Sequence, residues 1–166
     1  MKKIAIIGNL GKPNRQAADG QTVKTRIVSQ ELINTLGKDS IKIYNTHGGA
    51  INLLKAPFVS LMALLCARNV LILPAHRGIR IYAPLLALLS LIIPNRRLHY
   101  SVIGGWLPSF VRNKKILALS LKRFNGIYAE TNTMKNYKTD IIMRKMHWRT
   151  LATKISTSFL TVNHLI

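Results

Sequence analysis

The chain has 166 residues, the length of one domain or of one domain with a tail. Lys and Arg total 25 against 5 Asp and Glu, a net charge of +20, and 48% of the residues are apolar. A disordered basic tail would be poor in apolar residues, so that class is excluded, as is an acidic or chelating surface protein. The single cysteine, Cys66, excludes a disulfide framework and any multi-cysteine zinc or iron–sulfur centre. A reducing, cytoplasmic setting is the simplest compartment.

In chain order, Lys3 to Ile7 is a short apolar run closed by Gly8, which predicts a buried first strand. Residues 8–20 form a loop by composition. A helix follows from Thr22 to Leu36, with Val23, Ile27, Val28, Leu32 and Leu36 near one face and Gly37 as the stop. Ser40 to Asn45 alternates as a second strand, and Gly48-Gly49 marks a turn. Leu53 to Arg68 predicts a helix with Pro57 near its first turn. Asn69 to Pro74 is a third strand, and Pro84 to Ile93 a very apolar helix. Leu98 to Ile103 is a fourth strand ended by Gly104-Gly105, Phe110 to Phe124 an amphipathic helix, and Gly126 to Ala129 a fifth strand. A further helix starts at Thr131. From Tyr137 the pattern degrades, and no strand–turn–helix unit completes itself over 137–166.

Strands alternating with helices at this spacing predict βαβ units and a parallel sheet flanked by helices, an α/β fold of Rossmann-like type. Such sheets bind ligands outside the carboxyl ends of their strands. The loops that matter are therefore 8–22, 45–50, 74–79, 104–108 and 130–133. No apolar run reaches the ~20 residues needed to cross a bilayer, and the N-terminal run Ile4–Ile7 is too short for a secretory signal. Two strongly apolar segments in so basic a chain leave peripheral contact with an anionic membrane open.

The 8–26 segment is the most informative. Gly11 and Gly20 permit close backbone approach, Asp19-Gly20-Gln21-Thr22 opens a helix, and Lys24 and Arg26 sit in its first turns. Cations there oppose the helix dipole, which makes sense if an anion such as phosphate occupies the helix start. The competing reading is a polar loop with solvated charges. The segment matches neither the P-loop nor the G-x-G-x-x-G spacing, which disfavours an ATPase or a dinucleotide enzyme. The five histidines, His47, His76, His99, His147 and His164, form no H-x-x-x-H or H-x-H pair, and no metal or cofactor is expected. His76 follows a strand at the ligand edge, where it contacts a phosphate or sugar hydroxyl or else serves the structure. Gly104-Gly105-Trp106 allows backbone approach with an indole face beside it; the alternative is a tight turn with an anchoring Trp. Glu130 either binds hydroxyls or caps the next helix. Cys66 is read as a mid-helix core residue.

Taken together, Met1 to Gly8, Asp19-Gly20-Gln21-Thr22-Val23-Lys24-Thr25-Arg26, Leu73-Pro74-Ala75-His76, Val102-Ile103-Gly104-Gly105-Trp106-Leu107-Pro108 and Tyr128-Ala129-Glu130-Thr131-Asn132-Thr133-Met134-Lys135 resemble the N-terminal half of bacterial family 4 glycosyltransferases of capsular or surface polysaccharide biosynthesis. The resemblance covers residues 1–136 and leaves 137–166 as an atypical basic tail. It implies a GT-B fold, of which this chain carries the acceptor-side domain, and transfer of a sugar from a nucleotide-sugar donor to a saccharide or lipid-linked acceptor without a metal. It implies places near donor phosphate or acceptor for Gly11, Gly20, Gln21, Lys24 and Arg26, and acceptor-side places for His76, Gly104, Gly105 and Glu130. Catalytic residues are not assigned. Many relatives carry a His at the end of the strand preceding 104, where this chain has Gly104-Gly105. The E-x7-E acids of the family's second domain are absent too, since Asp140 is the last acid. The expectation is a truncated or frame-shifted product, inactive alone or completed by a second subunit, at the inner face of the cytoplasmic membrane. The alternative is a basic nucleic-acid-binding or peripheral membrane-binding module without catalysis. Basic residues spread along the whole chain and an aromatic content of 7% disfavour nucleic acid.

Overall fold

The computed structural model describes residues 1–12, 19–48, 53–103, 105–129 and 148–150. Strand β1 spans Lys2–Gly8. Helix α1 spans Gly20–Leu36, and one 3-10 turn at Lys38–Ser40 leads into β2, Ile41–Asn45. Helix α2, Ala56–Cys66, runs directly into β3, Ala67–Leu73. Helix α3, His76–Ile92, precedes β4, Arg97–Ser101. Two short helices, α4 (Leu107–Arg112) and α5 (Lys115–Lys122), lead to β5, Gly126–Ala129. Strand β6 is Trp148–Thr150.

The strands form one sheet in the order β2-β1-β3-β4-β5-β6, and every neighbouring pair is parallel. The fold is thus α/β and Rossmann-like. Its order is the doubly wound one whose direction reverses between β1 and β3, which places the crevice at the carboxyl ends of those strands.

Alternation along the central strands feeds two cores. Ile4 and Ile6 of β1 and Leu71 and Leu73 of β3 face α1 and meet Leu32 and Ile41. Ala5, Ile7, Val70 and Ile72 face the other way, into the larger core built with α2, α3, α4 and α5. Because both faces are covered, β1 and β3 read as continuous apolar runs rather than as alternating ones.

Helix α1 begins as expected but turns a different face inward. Asp19 is extended (φ −136°, ψ 152°) and its carboxylate accepts from the Thr22 N–H, a standard N-cap. Gly37, at φ 81°, ends the helix and returns its N–H to the Ile33 carbonyl. The buried stripe is Thr22, Thr25, Ser29 and Leu32, whereas Val23 and Ile27, expected inside, are 41% and 58% exposed. Gly8 supplies the reason. A Cβ at Gly8 would lie 2.7 Å from the Thr25 Cγ2, so the helix packs on β1 too closely for a large residue. The Thr25 hydroxyl is satisfied within the helix by the Gln21 carbonyl at 2.8 Å.

Other boundaries also differ from expectation. Helix α3 starts at His76, not Pro84, and Pro84 lies inside it. Proline there forgoes one i→i−4 bond, and the apolar surface buried around it by Tyr82, Ala83 and Leu86 outweighs that loss. The expected single helix over 110–124 breaks at Asn113 and Lys114, whose backbones leave the helical region. Cys66 ends α2 half-buried rather than sitting mid-helix in the core. A sixth strand forms where the sequence reading expected none beyond Tyr137. Trp148–Thr150 is too short for a periodicity signal, and it is pairing with β5 that makes it a strand. The helix expected from Thr131 lies outside the described residues. Among the described residues no helix is long and apolar enough to cross a membrane.

Candidate functional site

The carboxyl ends of β3 and β4 are stitched to the first turns of α1. Gln21 donates from Nε2 to the Leu73 carbonyl at 2.9 Å. Lys24 donates from Nζ to the Val102 carbonyl at 2.7 Å. Both contacts join residues far apart in the chain, and both pull the start of α1 across the edge where a parallel sheet opens.

Beyond these anchors stands an aromatic group. His76, the first residue of α3, stacks on Trp106 with ring centroids 3.7 Å apart and planes 27° from parallel. Phe110 of α4 meets both rings edge-on, at 5.3 Å from His76 and 5.1 Å from Trp106. The indole N–H is held by the Ile103 carbonyl at 2.6 Å, which fixes the ring relative to the end of β4. Two cations complete the wall. The Arg80 guanidinium lies 4.8 Å and the Lys114 ammonium 4.0 Å from the Phe110 centroid. His76 and Arg80 are exposed, and Trp106, Phe110 and Lys114 are half-buried. The result is a rigid aromatic ledge with positive charge along it. Such a ledge suits a hydroxylated ring with an apolar face, or an anion-bearing one.

The β1–α1 loop forms a second group. Gly11 takes φ 73°, a backbone conformation that side chains disfavour. Arg26 donates from Nε to the Leu10 carbonyl at 2.8 Å and from Nη2 to the Lys12 carbonyl at 3.2 Å. From the other side Asn45, at the end of β2, accepts from the Leu10 N–H at 3.0 Å and donates to the Gly11 carbonyl at 3.0 Å. Arg26 and Asn45 thus hold residues 10–12 between them.

Of the residues singled out from the sequence, Gln21, Lys24 and His76 gather at the ends of β3 and β4, while Gly11 and Arg26 gather at the ends of β1 and β2. Gly20 begins α1 and Gly105 precedes the indole; a Cβ at either would meet nothing within 4 Å, so both face open space. Gly104 and Glu130 lie outside the described residues. The helix start expected to receive an anion already carries the Asp19 carboxylate, with the Thr22 hydroxyl also donating to it at 3.0 Å. The sequence reading missed Asn45, Arg80, Phe110 and Lys114. The signal for Asn45 was its place at the end of a strand beside a glycine loop. Arg80 fell between the expected loop 74–79 and the helix expected from Pro84, and Phe110 and Lys114 sat inside a stretch read as plain amphipathic helix. Compared with protein-family models, with curated proteins and with solved structures, the chain finds no match.

Proposed function

We propose that this chain is the acceptor-side domain of a glycosyltransferase of polysaccharide biosynthesis. It would act at the cytoplasmic face of a membrane on a saccharide or lipid-linked acceptor, with the sugar coming from a nucleotide-sugar donor. The observation that carries the reading is the His76–Trp106 stack at the open edge of the sheet, with Phe110 locking it and Arg80 and Lys114 alongside. A pyranose presents an apolar face to an indole and its hydroxyls to flanking donors, which is what this ledge offers. The clamped β1–α1 loop supports the same reading. Residues 10–12 are held in place by Arg26 and Asn45, so the start of this loop is ordered before any ligand binds. In this assignment His76 and Trp106 orient the acceptor ring. The donor nucleotide's remaining contacts come from a second domain or subunit.

The test is titration of the full chain with oligosaccharides and, separately, with nucleotide sugars, followed by calorimetry or ligand-observed NMR. Saturable saccharide binding is expected. Trp106→Ala should weaken it about tenfold, or ~1.4 kcal/mol, and Trp106→Phe should retain most of it. Absence of saccharide binding at millimolar concentrations would sink the reading. Tight, steeply salt-dependent binding of nucleic acid in its place would move the function to that class.

A further inference from the structure

The helices α2, α3 and α5 form one layer over one face of the sheet, with α3 packed between the other two. Their inward faces fill the larger core through Ala63, Leu64, Ile79, Leu86, Leu117 and Leu121. Their outward faces are apolar as well. On α3, Leu88, Leu91 and Ile92 are spaced i, i+3, i+4, so they share one face, and they are 59%, 58% and 74% exposed. Phe58 and Leu65 of α2 and Ile116 and Leu119 of α5 are exposed beside them. Single exposed leucines are ordinary on a protein surface. A set shared by three adjacent helices is not, and it marks a contact surface.

Charge decides what that surface meets. Between Asp39 and Glu130 the sequence contains no acid, so the whole layer and its connections carry only positive side chains. Each helix returns toward the amino edge of the sheet, and cations cluster there. Arg68, which alternates to the same face as Val70 and Ile72, follows the end of α2, and Arg123 follows α5, both exposed. Long arginine side chains at this edge can hold a charge level with a surface while leucines go below it. A second copy of this chain would bring the same positive charge to the contact, since each carries a net +20.

We propose that the outer face of the α2–α3–α5 layer docks on an anionic lipid bilayer, Leu88, Leu91 and Ile92 entering the headgroup–acyl boundary while Arg68 and Arg123 engage lipid phosphates. Among the described residues no helix is long and apolar enough to span, so in this proposal the layer lies on the membrane. The surface is made of other residues than the aromatic ledge, so it stands apart from the saccharide reading.

The experiment is flotation of the full chain with vesicles of phosphatidylcholine alone or with about a third phosphatidylglycerol, at physiological salt. Binding to the anionic vesicles only is expected. The triple variant Leu88→Ser/Leu91→Ser/Ile92→Ser should partition roughly tenfold less or weaker still. The pair Arg68→Glu/Arg123→Glu should lose binding similarly. Ile27→Ser, exposed on α1 across the sheet, should leave it unchanged. Should the triple variant misfold by circular dichroism, Leu91→Cys in a Cys66→Ser background carries an environment-sensitive dye instead. Its emission should shift to the blue with anionic vesicles. No binding, equal binding to neutral vesicles, a triple variant that binds like the parent, or a dye that does not respond would each overturn the proposal. So would a parent dimer in ultracentrifugation that the triple variant abolishes, which would assign the surface to a second copy, or vesicle-independent capture by an acidic protein at the same residues. Trp106→Ala should leave flotation intact and the triple variant should leave saccharide titration intact, so the two readings fail separately.

Discussion

Helices α1 and α3 are both 17 residues long, and both run back from the carboxyl edge of the sheet, on opposite faces. They use those residues in opposite ways. Helix α1 turns Thr22, Thr25 and Ser29 inward and sends Gln21, Lys24 and Arg26 to backbone carbonyls of β3, of β4 and of the β1–α1 loop. Its polar side chains place backbone, and its apolar contribution to the core is small. Helix α3 buries Ile79, Tyr82, Ala83 and Leu86, then spends further leucines on solvent. One helix positions the edge where ligands bind, and the other supplies core and an outer surface. The same fold position therefore carries different physical duties, decided by whether side-chain polarity is met by nearby carbonyls or by apolar neighbours.

The sharpest way to break that contrast is to truncate one side chain inward and one outward on α3. Leu86→Ala leaves a cavity in a fully buried site and should lower stability by about 2–5 kcal/mol in urea unfolding. Leu88→Ala, at 59% exposure, should change it by no more than about 0.5 kcal/mol. Equal effects would mean that Leu88 belongs to the core. On α1 the corresponding strain test is Gly8→Ala. The new Cβ meets Thr25 Cγ2 at 2.7 Å, so a loss of about 1–3 kcal/mol is expected. Thr25→Ser removes that methyl, and the double variant should recover part of the loss. A double-mutant cycle with no coupling would refute close packing as the reason α1 buries small polar residues.

Much of the sheet was legible in the sequence because its central strands are short apolar runs punctuated by Gly or Pro. Gly126–Ala129 matches the expected range, β1 extends one residue beyond its own at each end, and β2 starts one residue later than expected. The misses have tertiary causes. The inward face of α1 is set by the missing Cβ of Gly8, a residue outside the helix, so helical periodicity pointed to Val23 and Ile27. The start of α3 was hidden because Pro84 reads as a helix beginning when it is an interior residue. At the candidate site, residue types and edge were visible for Gln21, Lys24, Arg26 and His76. Their partners were not, since Gln21 meets a carbonyl 52 positions away and Lys24 one 78 positions away. The stack of His76 on Trp106 joins segments that follow β3 and β4, and they meet because those two strands pair side by side in parallel.

A smaller effect tests how α1 is started. Asp19→Ala removes the carboxylate that accepts from the Thr22 N–H at 2.7 Å and from its hydroxyl, and should cost about 1 kcal/mol. Asp19→Asn keeps one acceptor and should cost less. If Asp19→Ala left stability unchanged, the cap would not be what holds the start of α1 at the ledge.

The smallest effect probes the face that α3 covers. Tyr100 of β4 is fully buried there, and its hydroxyl finds no hydrogen-bond partner among the described residues. Leaving a hydroxyl unpaired in an apolar core is unfavourable, so Tyr100→Phe should be neutral or stabilising by up to about 1 kcal/mol. Burial also pushes the Tyr100 phenol far above the ordinary tyrosine range. Tyr44 is pushed up to about 12 by burial, with the Cys66 hydrogen bond and charge adding to it. In the unfolded chain both ionise near pH 10, so above that pH the unfolded state binds fewer protons than the folded one. Stability therefore stands undiminished below pH 10 and falls as the pH rises. The deeply buried Tyr100 phenol contributes a slope of about 1.4 kcal/mol per pH unit; the half-buried Tyr44, open to solvent screening, contributes less, and its fall ends near pH 12. Tyr100→Phe removes one of these contributions, so its stability should decline less steeply than the parent's between pH 10 and 12. Parallel declines in urea unfolding across that window would show that Tyr100 meets water or a partner in the folded chain, and that the face under α3 is not as apolar as its leucines imply.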